Sequence, residues 1–162
     1  MNIRPLIASD FPQVAAIYKK GLATGFASFE TKVPDWNTWN LKFLDCCRFV
    51  LVLNDKVIGW CALSNVSKRK VYSGVAEDTI YIDRDYQGKS LGKKLLLHLI
   101  SESKKNGFWT LQAAIFSQNK SSIALHKACG FREIGIREKI AKRDGKWHDN
   151  VLMERRNKLF IE

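Results

Sequence analysis

The chain has 162 residues, 46% of them hydrophobic and 27% charged, with a formal net charge of +11. That length suits one domain with a real core, and no segment approaches the ~18 apolar residues a membrane helix requires. The positive field fits nucleic acid, an acidic surface or a polyanionic small molecule, but the lysines and arginines are scattered, with only short clusters at Lys68-Arg69-Lys70 and Arg155-Arg156.

Met1 to Leu6 reads as a short strand that Pro5 confines to an edge or end. Ser9 or Asp10 is placed to cap the following helix, which carries Val14, Ile17, Tyr18 and Leu22 at helical spacing. Gly21 and Gly25 loosen its end. An irregular aromatic stretch, Phe26 to Glu30, follows. Asp35 then precedes a second amphipathic segment with Trp36, Trp39, Leu41, Phe43 and Leu44.

Phe49 to Leu53 and Val57 to Leu63 read as a hairpin around Asn54-Asp55. Another strand ends at Ile82 and is read as starting near Tyr72. A glycine-bearing loop, Gln87-Gly88-Lys89-Ser90-Leu91-Gly92, opens a helix whose apolar face is Leu91, Leu95 and Leu99. Asn106-Gly107 ends that helix. Trp109 to Ile115 is a strand, and Asn119 caps a helix running to Ala128. Phe131 to Ile140 and Lys146 to Glu154 close the chain as a hairpin around Asp144-Gly145. Hairpins mixed with crossover helices give the α+β class, with a mixed, mostly antiparallel sheet of about seven strands and helices on both faces.

The strand, glycine loop and helix N-terminus form an anion site in outline. The first helical turn presents unpaired N–H groups, glycine lets the backbone come close, and Lys89 and Lys93 add charge. The loop is neither a Walker loop nor a dinucleotide fingerprint, since both glycine spacings are absent. Cys46, Cys47, Cys61 and Cys129 form no C-x-x-C pair and lack histidines at zinc spacing, so they read as small buried hydrophobes and no metal site is expected.

The loop resembles the pyrophosphate loop of the GNAT N-acetyltransferase superfamily, Q/R-x-x-G-x-G/A. Gln87 and Gly92 match its first and last positions, and Ser90 stands where the middle glycine is usual. Four further segments are similar to the phosphinothricin and methionine sulfoximine N-acetyltransferase branch: Phe26 to Glu30, Val75 to Ile82, Asn119 to Phe131 with Ser122, Leu125 and His126, and Gly145 to Asp149. The resemblance covers nearly the whole chain and implies a single domain, 1–162, with the GNAT fold.

It implies acetyl-CoA as cosubstrate, with Ile80, Tyr81 and Ile82 along the pantetheine arm, Gln87, Gly88, Lys89, Ser90, Leu91, Gly92 and Lys93 at the pyrophosphate, and Asn119 near the thioester. Glu77 is then the candidate general base, because an amine must lose a proton to attack. His126 stands where relatives carry the group that protonates the departing thiolate. Phe29, Glu30, Arg69 and Tyr72 are the candidate acceptor residues, Arg69 as a fork for an α-carboxylate. The acceptor is expected to be the amine of a small amino acid or analogue, attacked directly in a ternary complex. The alternatives are acetylation of a protein N-terminus or lysine, or a non-catalytic acyl-CoA-binding module. The expected setting is the cytoplasm. The protein is expected as a homodimer, with no nucleic acid or membrane partner.

Overall fold

The computed structural model describes residues 1–160. In chain order the elements are β1 (Asn2–Pro5), α1 (Phe11–Leu22), α2 (Trp36–Lys42), β2 (Phe49–Leu53), β3 (Lys56–Asn65), β4 (Val75–Ile82), α3 (Leu91–Lys105), β5 (Thr110–Phe116), α4 (Lys120–Ala128), β6 (Arg132–Arg143) and β7 (Lys146–Arg156). The strands make one sheet in the order β1-β2-β3-β4-β5-β7-β6. Every neighbouring pair is antiparallel except β4 and β5, which run parallel. This is the expected seven-stranded, mostly antiparallel architecture.

Side-chain alternation gives the sheet two buried faces. Phe49, Leu51, Cys61 and Leu63 point to one side, where Leu95, Leu96 and Leu99 of α3 cover them. Val50, Val52, Trp60 and Ala62 point to the other, beneath Val14, Ile17 and Tyr18 of α1 and Trp39 of α2. Burial on both faces explains why β2 is apolar at every position instead of alternating. The two-residue turns Asn54-Asp55 and Asp144-Gly145 take φ of 48° and 60°, and of 49° and 75°. Those left-handed pairs match the twist of the strands they join.

Several expectations are corrected in detail. β4 begins at Val75, and Lys70–Tyr72 instead forms a turn of 3-10 helix. Asp10 sits at the start of α1, but its carboxylate takes both terminal nitrogens of Arg4, at 2.7 and 2.8 Å, and the Ile7 N–H at 3.0 Å. Asp35 does cap α2, accepting from the Thr38 N–H at 2.8 Å. Leu41, read as part of the apolar face of α2, is 86% exposed. Gly21 does not loosen α1. A Cβ there would lie 2.4 Å from the Tyr81 ring, so its absence lets β4 and α1 approach each other. Cys47, Cys61 and Cys129 are buried as read, and all four cysteines are unpaired.

Candidate active site

β4 and β5 pair over three rungs only, Val75 with Thr110, Ala76 with Leu111, and Glu77 with Gln112. β4 stays on β3 as far as Ile82, while β5 stays on β7 as far as Phe116. The two parallel strands therefore part after Glu77. A cleft of about 1150 Å³ opens there, lined by both strands, the loop before α3, one side of α4 and the segment from Phe26 to Glu30.

Alternation along the parted strands divides the cleft into two chambers. Ile80 and Ile82 pack with the α3 side of the sheet, as do Ala113 and Ile115. Tyr81 packs with α1 on the opposite side. Glu77 and Thr79 share the parity of Tyr81, and Asp78 shares that of Ile80.

The chamber on the α3 side holds the glycine loop. Gly88 and Ser90 both have left-handed backbones, φ 74° and 57°. Left-handed residues just before a helix turn successive N–H groups to one concave side, an anion cradle at the positive end of the α3 dipole. Ser90 occupies the position where the family pattern has glycine, and it adopts the conformation glycine would. Gly92 also serves packing: a Cβ there would meet the Leu125 side chain at 3.2 Å, so it allows α3 to pass close to α4. Ile80, Ile82, Gln87, Gly88, Ser90, Leu91, Gly92, Lys93 and Asn119 all line the cleft, as does Tyr81. Lys89 does not; its ammonium lies 5.5 Å over the Tyr86 ring. Asn119 caps α4, its Oδ1 accepting from the Ser122 N–H at 3.2 Å.

The chamber on the α1 side carries the charged groups. Glu77 accepts from Gln112 Nε2 at 2.9 Å. Tyr18 donates its hydroxyl to Glu30 at 2.8 Å, and Lys42 pairs with the other Glu30 oxygen. Burial alone would raise the Glu30 pKa, but Lys42 and Tyr18 outweigh it and hold the carboxyl below its ordinary range. Phe29 packs on Phe116 with ring centroids 4.4 Å apart, and His148 stands edge-on to Phe116 at 5.0 Å.

Arg143, at the end of β6, fixes this chamber's wall. Its buried guanidinium donates to the carbonyls of Leu22, at 2.7 Å, Glu30, at 3.1 Å, and Ser28. The three acceptors lie at the end of α1 and in the aromatic segment, so one side chain pins the loop that presents Phe29 and Glu30.

Of the expected acceptor residues, Phe29 and Glu30 reach the cleft, whereas Arg69 and Tyr72 are exposed and outside its lining. The Arg69 guanidinium stacks over the Tyr72 ring at 5.4 Å. The strand begins after them, at Val75, so the turn that holds them sits beyond the end of the cleft. Trp147 is also exposed, under Lys142.

His126 and Glu77 both line the cleft, on opposite sides of the sheet. Asp78, Lys42, Gln112 and Arg143 were missed by motif reading. Asp78 had a legible signal: it is the charged member of the otherwise apolar alternation Ala76, Asp78, Ile80, Ile82.

The acetyltransferase (GNAT) family model matches residues 12–131. The phosphinothricin N-acetyltransferase of Alcaligenes faecalis is 34% identical over 95% of this chain and 81% of its own length. An L-methionine sulfoximine/L-methionine sulfone acetyltransferase of Pseudomonas aeruginosa is 28% identical over 94% of this chain and 92% of its own. The crystal structure of a GNAT superfamily phosphinothricin acetyltransferase from Sinorhizobium meliloti in complex with AcCoA superposes with a TM-score of 0.87 at 30% identity, covering 96% of this chain and 87% of that one. With the cleft, the cradle and these relatives in agreement, the chain belongs to the acetyltransferase (GNAT) family.

Proposed function

We propose that the protein is an acetyl-CoA-dependent N-acetyltransferase acting on the amine of a small amino acid or analogue, of the phosphinothricin or methionine sulfoximine kind, by direct attack in a ternary complex. The observation that carries this is the parting of β4 from β5 beside the left-handed pair Gly88 and Ser90. Backbone donors in the cradle, with Lys93 beside them, suit a pyrophosphate. The edge of β4 that β5 leaves suits the amide groups of a pantetheine arm, and its fixed N–H groups would stabilise a developing oxyanion without reorganisation. Acetyl-CoA supplies the activated acetyl group.

On the α1 side, Glu77 accepts, directly or through one water, the proton that the ammonium must lose before it can attack; the second proton leaves nitrogen as the amide forms and balances the one taken up by the departing sulfur. Phe29 and Phe116 give the acceptor's side chain an apolar wall. Glu30 and Lys42 offer one negative and one positive group, a fit to an amino acid's own pair of charges. The pinned Phe26 to Glu30 segment favours a small acceptor over a peptide.

This reading places the protein in the cytoplasm, where unpaired cysteines such as these four persist, and as a homodimer. Support for a second copy comes from the edge strand β6, which leaves Ile134, Ile136 and Ile140 exposed; light scattering reads the mass.

The test of function is thiol release from acetyl-CoA in the presence of methionine sulfoximine, methionine sulfone, phosphinothricin, aromatic amino acids, polyamines and peptides. Turnover of the amino acid analogues is expected. Turnover confined to peptides overturns the small-acceptor reading.

A further inference from the structure

The Tyr81 side chain is wedged among buried groups on the α1 side of β4. Its ring stacks on Trp60, with centroids 5.2 Å apart and planes 20° from parallel, and tilts against Tyr18 at 4.9 Å. Against α1 it fills the space at Gly21, where a Cβ would lie 2.4 Å from the ring's Cε1. Trp60 and Tyr18 are themselves buried. A ring seated this way cannot swing without disturbing both, so its hydroxyl has a fixed place.

That hydroxyl is unspent. Tyr18 donates its own to Glu30 at 2.8 Å, whereas among the described residues none hydrogen-bonds the hydroxyl of Tyr81. Nor is the oxygen among the fully buried atoms without a partner, so it keeps an open surface, and the residue lines the cleft. A tyrosine hydroxyl on a largely buried ring normally finds a partner, and here the cleft must supply it. Burial first, and the Glu30 carboxylate second, raise its pKa, outweighing Arg143, so the group remains an O–H donor at neutral pH. Because Glu30 acts on it more strongly than Arg143, a neutral oxygen suits the position better than a second full anion.

We propose that the Tyr81 hydroxyl donates to a neutral oxygen on the acceptor's side chain, so that the chamber selects amino acids ending in a sulfoximine or sulfone over those ending in a thioether or hydrocarbon. The proposal rests on the N-acetyltransferase reading above and names which of its acceptors fits. Tyr81 follows Glu77 and Thr79 along the same face of β4, so it meets the far end of an acceptor whose amine lies by Glu77. Phe29 and Phe116 take the apolar stem between. The backbone of Tyr81 stays available to a pantetheine arm, because a strand's side chains stand perpendicular to its hydrogen-bonding edge. No bond is made or broken at Tyr81; its part is recognition.

Tyr81→Phe tests this, since it removes one oxygen and keeps the ring in its seat. Methionine sulfoximine, methionine sulfone and methionine share a stem and differ in what sulfur carries. In the unmodified protein the first two should exceed methionine in kcat/KM. Tyr81→Phe should lower them about 3- to 10-fold, chiefly through KM, and leave methionine unchanged. Acetyl-CoA affinity by calorimetry should also be unchanged. Equal losses for all three acceptors overturn the proposal, as does no loss for any, or a matching fall in acetyl-CoA affinity. Calorimetric titration of the protein–CoA complex with the sulfoximine and with methionine needs no turnover. The sulfoximine should bind about 3- to 10-fold more weakly to Tyr81→Phe, with methionine unchanged. Sulfoximine affinity that is equal in both proteins, or absent from both, overturns the proposal. If the unmodified protein acetylates no amine, the functional reading fails instead, and this titration still judges Tyr81.

Discussion

Gln112 Nε2 donates to Glu77 Oε2 at 2.9 Å across the last rung that joins β5 to β4. The bond holds the carboxylate at the mouth of the parted strands and leaves its second oxygen for a proton. Glu77→Gln keeps the shape and removes the group that the proposed function makes the base. Turnover is expected to drop about 100- to 10,000-fold, the usual contribution of a positioned base. Acetyl-CoA affinity should hold, as read by calorimetry. Gln112→Leu, which frees the carboxylate without removing it, should show a much smaller loss; equal losses would assign Glu77 to architecture.

Lys42 lines the cleft beside Glu30 while Arg69 lies outside it, so the proposed function assigns the acceptor's carboxylate to Lys42. Because its side chain is 40% exposed, solvent screens the charge. Lys42→Ala should lower kcat/KM about 3- to 10-fold for amino acid acceptors and spare amines without a carboxylate. Arg69→Ala should change both classes little. A large, carboxylate-specific loss in Arg69→Ala would return that role to Arg69.

Ser90 sits at φ 57°, where a side chain costs about 1–2 kcal/mol relative to the right-handed region. Glycine there removes that cost and loses about 0.5–1 kcal/mol to chain entropy. Ser90→Gly should therefore stabilise by up to about 1.5 kcal/mol in denaturant melts, with acetyl-CoA affinity retained. Ser90→Val, branched at Cβ, should destabilise and weaken cofactor binding together.

Arg143→Ala leaves the carbonyls of Leu22, Ser28 and Glu30 without their shared donor. The Leu22 carbonyl keeps the Gly25 N–H at 3.1 Å, so a loss of about 1–3 kcal/mol is expected, from the Ser28 and Glu30 carbonyls. The functional sign is selective: acceptor KM should rise while acetyl-CoA affinity stays, because the cradle lies on the other side of the sheet.

His126 also gives the fold a pH dependence. Its pKa in the folded chain is raised by Asp78. The stabilisation is then fully present below the unfolded value of about 6.5 and is lost as pH rises through the folded one. Burial, with Asp78 a lesser cause, pushes the thiols of Cys61 and Cys129 up, away from the lower end of that window. Denaturation midpoints should fall from pH 6 towards pH 9 more steeply in the unmodified protein than in Asp78→Asn.

Periodicity and turn chemistry gave the order of strands and helices because each of those signals is local. Asn119, Asp35 and the two left-handed hairpin turns stand where their residue types require. What failed was whatever depends on distant chain. Gly21 looked like a weak helix end, yet its reason is the Tyr81 ring arriving from β4. Gly92 reads as part of the phosphate cradle and does line the cleft, but the further reason for its missing Cβ, the Leu125 side chain arriving from α4, has no local signal. Arg69 looked close to Glu77 in sequence, but the turn of Lys70–Tyr72 carries it off the end of the strand. Arg143, more than 110 residues from Ser28 along the chain, had no local signal at all.

The division of β4 by parity separates two heritable traits. The side chains of Glu77, Thr79 and Tyr81 point to the α1 side, where the proposed function puts the acceptor, while those of Asp78, Ile80 and Ile82 point to the α3 side, with the glycine loop. A substitution at one parity leaves the other chamber's wall unchanged. A lineage can therefore drift from one amine to another by changing alternate residues and the Arg143-pinned segment, without relearning how to hold its acyl carrier. Paralogues that differ in acceptor should vary at these alternate positions and agree between them.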